Sequence, residues 1–262
     1  MIDPRVRRVL AAYIFAVAAL VTFSVIALAL MRELYPDLTD QEGAFGLPGL
    51  LAGGLASSTA FVVTLLVVAR PLDAERLRLR PGRETSLSLA AMVVGTLALG
   101  QTLDSVVAVL GLANRGTMAA IRHALTGATG ADLFGSVVVI GVLAGAAEEI
   151  FFRGYMQTAL RDSWRPWLAA LATSAAFGVL HVDLELIHSV LAFALGLWLG
   201  LVTEQAGSAL PAVAAHIVNN ILFTMLTALG LTVDAFWPNI ALGAGAAAVF
   251  AVCAVIVGRL AR

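Results

Sequence analysis

Lysine is absent, cysteine occurs once, and charged residues make up only 13% of the 262 residues. Each shortage removes a class of protein. A lone Cys253 excludes an internal disulfide and any thiolate metal cluster. A net charge of −1 supplies no basic face and predicts no nucleic-acid partner. The charged fraction is about half that of soluble domains, while the 60% hydrophobic content exceeds their ~45–50%. With a mean hydropathy of +0.95, this is the composition of a polytopic membrane protein, not of a globular enzyme on one anchor. All 16 basic residues are Arg; we ascribe this to genome composition and attach no mechanism to it.

What is present is a series of long apolar runs. A membrane-crossing helix needs about 20 mostly apolar residues, and open strands cannot cross lipid with unpaired backbone groups. Eight candidate spans follow: 9–31, 47–68, 87–112, 133–160, 166–181, 186–202, 209–229 and 235–257. The fifth and sixth are short and extend, if at all, into their flanks. The first run, 23 residues from Val9 to Met31, exceeds the ~7–15 residues of a signal-peptide core, so it reads as an uncleaved span. The expected fold is all-α: a polytopic integral-membrane bundle of about eight helices, one membrane domain over residues 1–262. The stretch 113–130 reads as a short surface helix or an outer loop.

Charge sets the expected orientation. With the N-terminus inside, twelve arginines (5, 7, 8, 70, 76, 78, 80, 83, 161, 165, 259 and 262) fall in inner segments. Only Arg32, Arg115 and Arg122 fall outside, with Arg153 left within a span. That bias predicts cytoplasmic N- and C-termini in the plasma membrane, and an even number of spans agrees. Trp164 and Trp167 beside Arg161 and Arg165 read as an interfacial belt. The basic segment Pro71–Glu84 reads as a topogenic loop in contact with lipid headgroups, so membrane lipid is an expected partner.

Ionisable side chains are rare inside spans because hydrocarbon does not solvate them, and they mark functional sites. Three groups stand out. In the fourth span, Glu149 and Arg153 are four apart, share a helix face and pair. Glu148 is rotated by about 100° from Glu149, points elsewhere and has no local cation. Two readings are open: structural carboxylates capping neighbouring helices, or one structural pair plus a reactive Glu148. In the fifth span Phe177 precedes His181 by one turn. His181 is an interfacial histidine or a catalytic one, with Asp183 or Glu185 placed to orient its second nitrogen. In the seventh span His216 and Asn220 share a face. They either glue two helices or aim two hydrogen bonds at a developing oxyanion.

Weaker candidates are Gln101 and Asp104, expected to pair with a neighbouring helix. His123 and His188 are expected to meet solvent or headgroups. Gly53–Gly54 and the Gly196-x-x-x-Gly200 spacing suggest close helix packing.

One carboxylate, two imidazoles and an amide serve either a base for water or, through Glu148, His181 and His216, a metal such as zinc. The sequence does not require that metal. No His-Glu-x-x-His motif is present, nor Gly-x-Ser-Gly, Gly-x-Gly-Asp or a phosphate-cradling Gly-Lys. Serine, aspartyl and conventional zinc intramembrane proteases are therefore poor matches. Depth is the awkward point. At ~1.5 Å per residue, His181 would lie ~24 Å from Arg165, and His216 only ~13 Å from Gly207.

Glu148-Glu149-x-x-x-Arg153, Phe177-x-x-x-His181 and His216-x-x-x-Asn220 together resemble the three motifs of the CAAX prenyl protease 2 and bacteriocin-processing (CPBP, or Abi) family, intramembrane glutamate proteases often described as metalloproteases. The motif-bearing region covers about residues 133–229. The resemblance implies that Glu148 activates water, His181 assists it, and His216 and Asn220 steady the tetrahedral intermediate. Glu149, Arg153 and Phe177 are then structural. It also implies an endopeptidase acting near the bilayer on a peptide or membrane-protein substrate. Two rival readings remain: a proton-coupled transporter, against which the lack of an evident internal repeat counts, and a non-catalytic immunity or scaffold protein. Oligomeric state is not legible.

Overall fold

The computed structural model describes residues 3–70 and 72–259. Pro71 of the basic segment and Arg262 of the charge bias lie outside the described residues. The described residues contain helices and no strands, as composition required.

Helix α1 (Pro4–Leu34) starts at proline, whose missing N–H costs nothing in a first turn, and is capped by Asp3. Hydrogen bonds from Ser163 and from the Arg5 N–H hold the Asp3 carboxyl below the usual carboxylate range. Short α2 (Asp40–Phe45) opens on a reciprocal Thr39–Glu42 capping box. It is followed by α3 (Leu47–Val68) and α4 (Ser86–Val109). The stretch left open as helix or loop contains α5 (Gly116–Leu125). Helix α6 runs from Gly130 to Arg161. Then come α7 (Pro166–Leu180), α8 (Ile187–Ala206), α9 (Leu210–Ala228) and α10 (Phe236–Gly258).

Seven of these are long and apolar enough to cross a membrane. They match seven of the eight expected spans. The sixth span reaches full length, extending to Ala206 where Gly207 takes a left-handed φ of 73° and turns the chain. The fifth does not extend: α7 has 15 residues, about 22 Å of rise against a hydrocarbon core of ~30 Å. It ends at His181 because the next residues turn back into α8.

Helix α6 is the axis of the bundle and is not uniform. Val137–Ala144 and Ile150–Gln157 are wound as π-helix, and the Thr158 hydroxyl donates to the Arg153 carbonyl five residues back. Such wide turns are rare and recur at functional sites. Two apolar cores flank this axis. In one, Phe151, Phe152 and Met156 of α6 pack with Val9 of α1, Phe61 of α3 and Phe177 of α7. In the other, Met92 of α4, Trp198 and Leu199 of α8, and Cys253 of α10 pack together. The outward faces are apolar, as with Val21 and Val25 on α1 and Val252 and Val255 on α10, and suit lipid.

The segment 72–84 tucks beneath the α8–α9 turn. Arg83 N–H donates to the Ala206 carbonyl at 2.7 Å, and Ala209 N–H donates to the Arg78 carbonyl at 2.8 Å. The start of α9 is therefore covered by chain and not at a surface.

Candidate active site

Helices α6, α7 and α9 bring the three motifs together. The His216 imidazole lies between the two acidic residues of α6. Its Nδ1 is 2.8 Å from Glu149 Oε1 and its Nε2 is 3.8 Å from Glu148 Oε2. The expectation that Glu148 points elsewhere than Glu149 is therefore corrected, since both face His216; as expected, Glu148 forms no ion pair with an arginine among the described residues. The ~100° between adjacent residues separates the carboxylates enough to bracket one ring rather than to send them to different neighbours. All three are buried, Glu148 the least completely, its side chain 12% exposed.

Glu149 and Arg153 pair as their spacing predicts, Arg153 Nη1 donating to Glu149 Oε1 at 2.9 Å. Arg153 is wholly buried. Its Nη2 donates to the Gly196 carbonyl of α8 at 2.8 Å, and its guanidinium lies 5.0 Å from the Phe177 ring centre. A buried charge needs such compensation. Glu149 Oε1 thus accepts from both Arg153 and His216, while Glu149 Oε2 and Arg153 Nε lack partners.

Phe177 is the hinge of the constellation. Its ring centre is 4.5 Å from that of His181 and 6.0 Å from that of His216. His181 Nδ1 is 2.8 Å from the Phe177 carbonyl. A carbonyl only accepts, so Nδ1 carries the hydrogen and Nε2 is left with its lone pair. The orienting group is therefore this backbone oxygen and not Asp183 or Glu185. Those side chains are drawn to α5 instead: Asp183 accepts from Thr117 N–H at 3.0 Å, and Glu185 lies 3.9 Å from Arg115. His188 is half-buried, and its ring stands edge-on to His181 with centres 4.7 Å apart, because the short α7–α8 turn folds one over the other.

Asn220 is half-buried and donates from Nδ2 to the Ile140 carbonyl of α6 at 3.2 Å, while Asn219 reaches its Oδ1 at 3.4 Å. One amide hydrogen is thus committed to an interhelical bond and the other remains. Gln101 bonds Ser105 of its own helix, not a neighbour, whereas Asp104 does pair across helices, with Arg122 of α5. Among the described residues no three His, Cys, Asp or Glu side chains stand together as ligands for a metal ion. Glu148, His181 and His216 do not form such a set.

The seam between α6 and α8 holds residues that the motif reading missed. Gln157 Nε2 donates to the Gly200 carbonyl at 2.9 Å and to Glu204 Oε1 at 2.8 Å. Glu204 also meets Arg78 and Arg161, each at 2.9 Å. Glu149, Arg153, Gln157 and Arg161 recur every fourth residue on α6, facing Gly196, Gly200 and Glu204 at the same interval on α8. That matched spacing was readable in the sequence. The glycines leave the room: a Cβ at Gly196 would lie 2.8 Å from Arg153 Nη2 and 3.1 Å from the Phe177 ring.

Compared with known families, residues 130–222 match the model described as type II CAAX prenyl endopeptidase, Rce1-like. That segment contains every motif residue of the site. No curated protein matches the chain. No solved structure matches it.

Proposed function

We propose, from the Rce1-like segment at residues 130–222 and the site it contains, that this chain is an integral-membrane endopeptidase with Glu148 as its general base. The observation that carries the reading is the bracketing of His216 by two carboxylates inside an apolar bundle, where one of them, Glu149, is held by Arg153 and the other, Glu148, comes no nearer than 3.8 Å to the ring and forms no ion pair with an arginine among the described residues. A carboxylate with no tight partner is free to take a proton from water as the water oxygen attacks a peptide carbonyl. It then returns that proton to the departing amine. Glu149 fixes the His216 ring through Nδ1, as a carboxylate fixes a catalytic imidazole elsewhere. The remaining Asn220 hydrogen and the Nε2–H of His216, whose ring enters the step already carrying both protons between the two carboxylates, are the donors for the oxyanion. His181 assists through its bare Nε2.

The substrate class is a peptide bond in or beside the bilayer. The arginine bias puts both termini in the cytoplasm and the whole chain serves as one membrane domain. Full-length protein in lipid nanodiscs, incubated with a panel of membrane-anchored peptides, tests the role. Wild type is expected to cleave, and Glu148→Gln to lose at least the ~10²–10⁴ that a general base contributes with thermal unfolding unchanged. Retained cleavage in Glu148→Gln removes Glu148 from the mechanism, and no cleavage by wild type across the panel favours a non-catalytic partner. Asn220→Ala separates the two readings of that amide. An oxyanion donor costs ~10²–10³ in rate, whereas a mere interhelical bond costs about 1 kcal/mol of stability and spares the rate.

A further inference from the structure

On the side of the bundle where α1 begins and α3 and α6 end lies an open cavity of about 490 Å³. Its rim is cationic. Arg5 and Arg8 come from α1, Arg70 from just past α3 and Arg76 from the segment 72–84, against one lining carboxylate, Asp162. Two of the four are committed. Arg5 Nη1 donates to the Asp162 carbonyl at 3.0 Å and lies 3.8 Å from its carboxylate; Arg70 Nε donates to the Leu66 carbonyl at 2.6 Å. Arg8 and Arg76 make no hydrogen bond or ion pair with any described residue. The nearby carboxylate of Asp3 is itself committed, Oδ1 to the Arg5 N–H and Oδ2 to Ser163.

The floor is different in kind. Val68, Leu77 and Ala159 line it, and the Tyr155 ring stands above Phe151 with centres 6.2 Å apart. Cationic rim over apolar floor, at the level where helices end and the half-exposed Trp167 marks the interface, matches one ligand chemistry: a phosphate joined to hydrocarbon. A free phosphate would use the rim and leave the floor wet. A general attraction of basic loops to headgroups needs no cavity; here three segments distant in sequence shape one.

We propose that this cavity binds an anionic phospholipid, its phosphate between Arg8 and Arg76 and its acyl chain over Val68, Leu77 and Ala159. The site stands independently of peptide-bond hydrolysis.

Native mass spectrometry of the full chain released from nanodiscs of phosphatidylcholine with phosphatidylglycerol as the minor component reads it directly. Wild type is expected to retain phosphatidylglycerol. Arg8→Gln with Arg76→Gln is expected to bind it about 30-fold more weakly, from two lost cation contacts. Arg165→Gln with Arg259→Gln removes the same charge from the same side and is expected to bind as wild type. Equal weakening by both pairs, or by neither, overturns the site. Glycerol 1-phosphate in excess is expected not to displace the lipid; displacement would mean that the rim alone binds phosphate and would overturn the lipid assignment. Should the double variant unfold, Arg76→Gln alone, exposed on its loop, carries the same comparison with an expected fivefold loss.

Discussion

Two seams of this bundle use the same packing device and fill it with opposite chemistry. Between α4 and its neighbours α8 and α10, Gly95 faces Trp198 and Cys253; a Cβ there would lie 2.9 Å from the indole and 3.1 Å from Cys253 Cβ. A polar contact crosses it too, Trp198 Nε1–H of α8 to the Thr96 hydroxyl of α4 at 3.0 Å, but it joins neutral groups. Between α6 and α8, Gly196 and Gly200 make the same kind of room for a guanidinium and an amide. Packing alone would favour the apolar filling in both places, since buried ion pairs recover their desolvation cost only with good geometry. The α6–α8 seam leads from His216 and Glu149 through Arg153 and Gln157 to Glu204. Helix association explains the first seam. The second makes sense as the support of a site.

The largest break in this comparison is Arg153→Ala. It leaves Glu149 fully buried with its main cation gone, and removing one partner of a buried pair costs about 3–5 kcal/mol. Thermal unfolding in nanodiscs should fall accordingly, and cleavage should vanish because Glu149 no longer has a fixed position from which to hold His216. The double change Arg153→Met with Glu149→Gln sharpens the point. Stability should return, as it often does when a buried ion pair is replaced by neutral side chains of similar volume, while cleavage should not. Recovery of both would make the pair a packing feature only.

Next in size is Gly196→Ala. The added methyl meets Arg153 Nη2 and the Phe177 ring, and any shift of the guanidinium disturbs its bonds to Glu149 and to the Gly196 carbonyl. Overpacking costs about 1–3 kcal/mol, and a displacement of roughly 1 Å near the site costs about 10²-fold in rate. Gly200→Ala is the matched control. Its methyl would lie 3.0 Å from Gln157 Oε1 and 3.1 Å from Ala170 Cβ, one turn further from His216. A similar loss of stability with a smaller loss of rate is expected there. Equal rate losses would mean that the seam acts as a unit and not by proximity.

The difference between the seams also explains what was legible beforehand. The spans were readable because lipid demands long apolar helices, and seven of the eight came through at full length. Glu149–Arg153 was readable because four residues make a helical turn. Contacts that depend on how helices cross were not. Periodicity placed Glu148 on a different face and could not know that α9 would cross where both carboxylates reach His216. The backbone bonds from Arg83 to Ala206 and from Ala209 to Arg78, which tie the segment 72–84 to the α8–α9 turn, leave no mark in the residue types of either segment. The histidine-orienting group was sought among acidic side chains, yet it is the carbonyl of Phe177, which every residue type carries. Gly196 and Gly200 were noticed only as a common packing spacing. Their meaning lay in the polar residues repeating at the same interval on α6.

Cys253→Ala gives the smallest effect and closes the comparison from the apolar side. Cys253 is buried in the core shared by α4, α8 and α10, and it has no polar role to lose. Truncating it removes one sulfur beside Gly95, a change in the lower part of the range for core substitutions, about 1 kcal/mol. Unfolding should shift slightly and cleavage of the peptide panel should be unchanged, because nothing in this seam touches Glu148, His181 or His216. A rate loss out of proportion to the stability loss would show that the α4–α10 seam also positions the site, and the division between a packing seam and a supporting seam would fail.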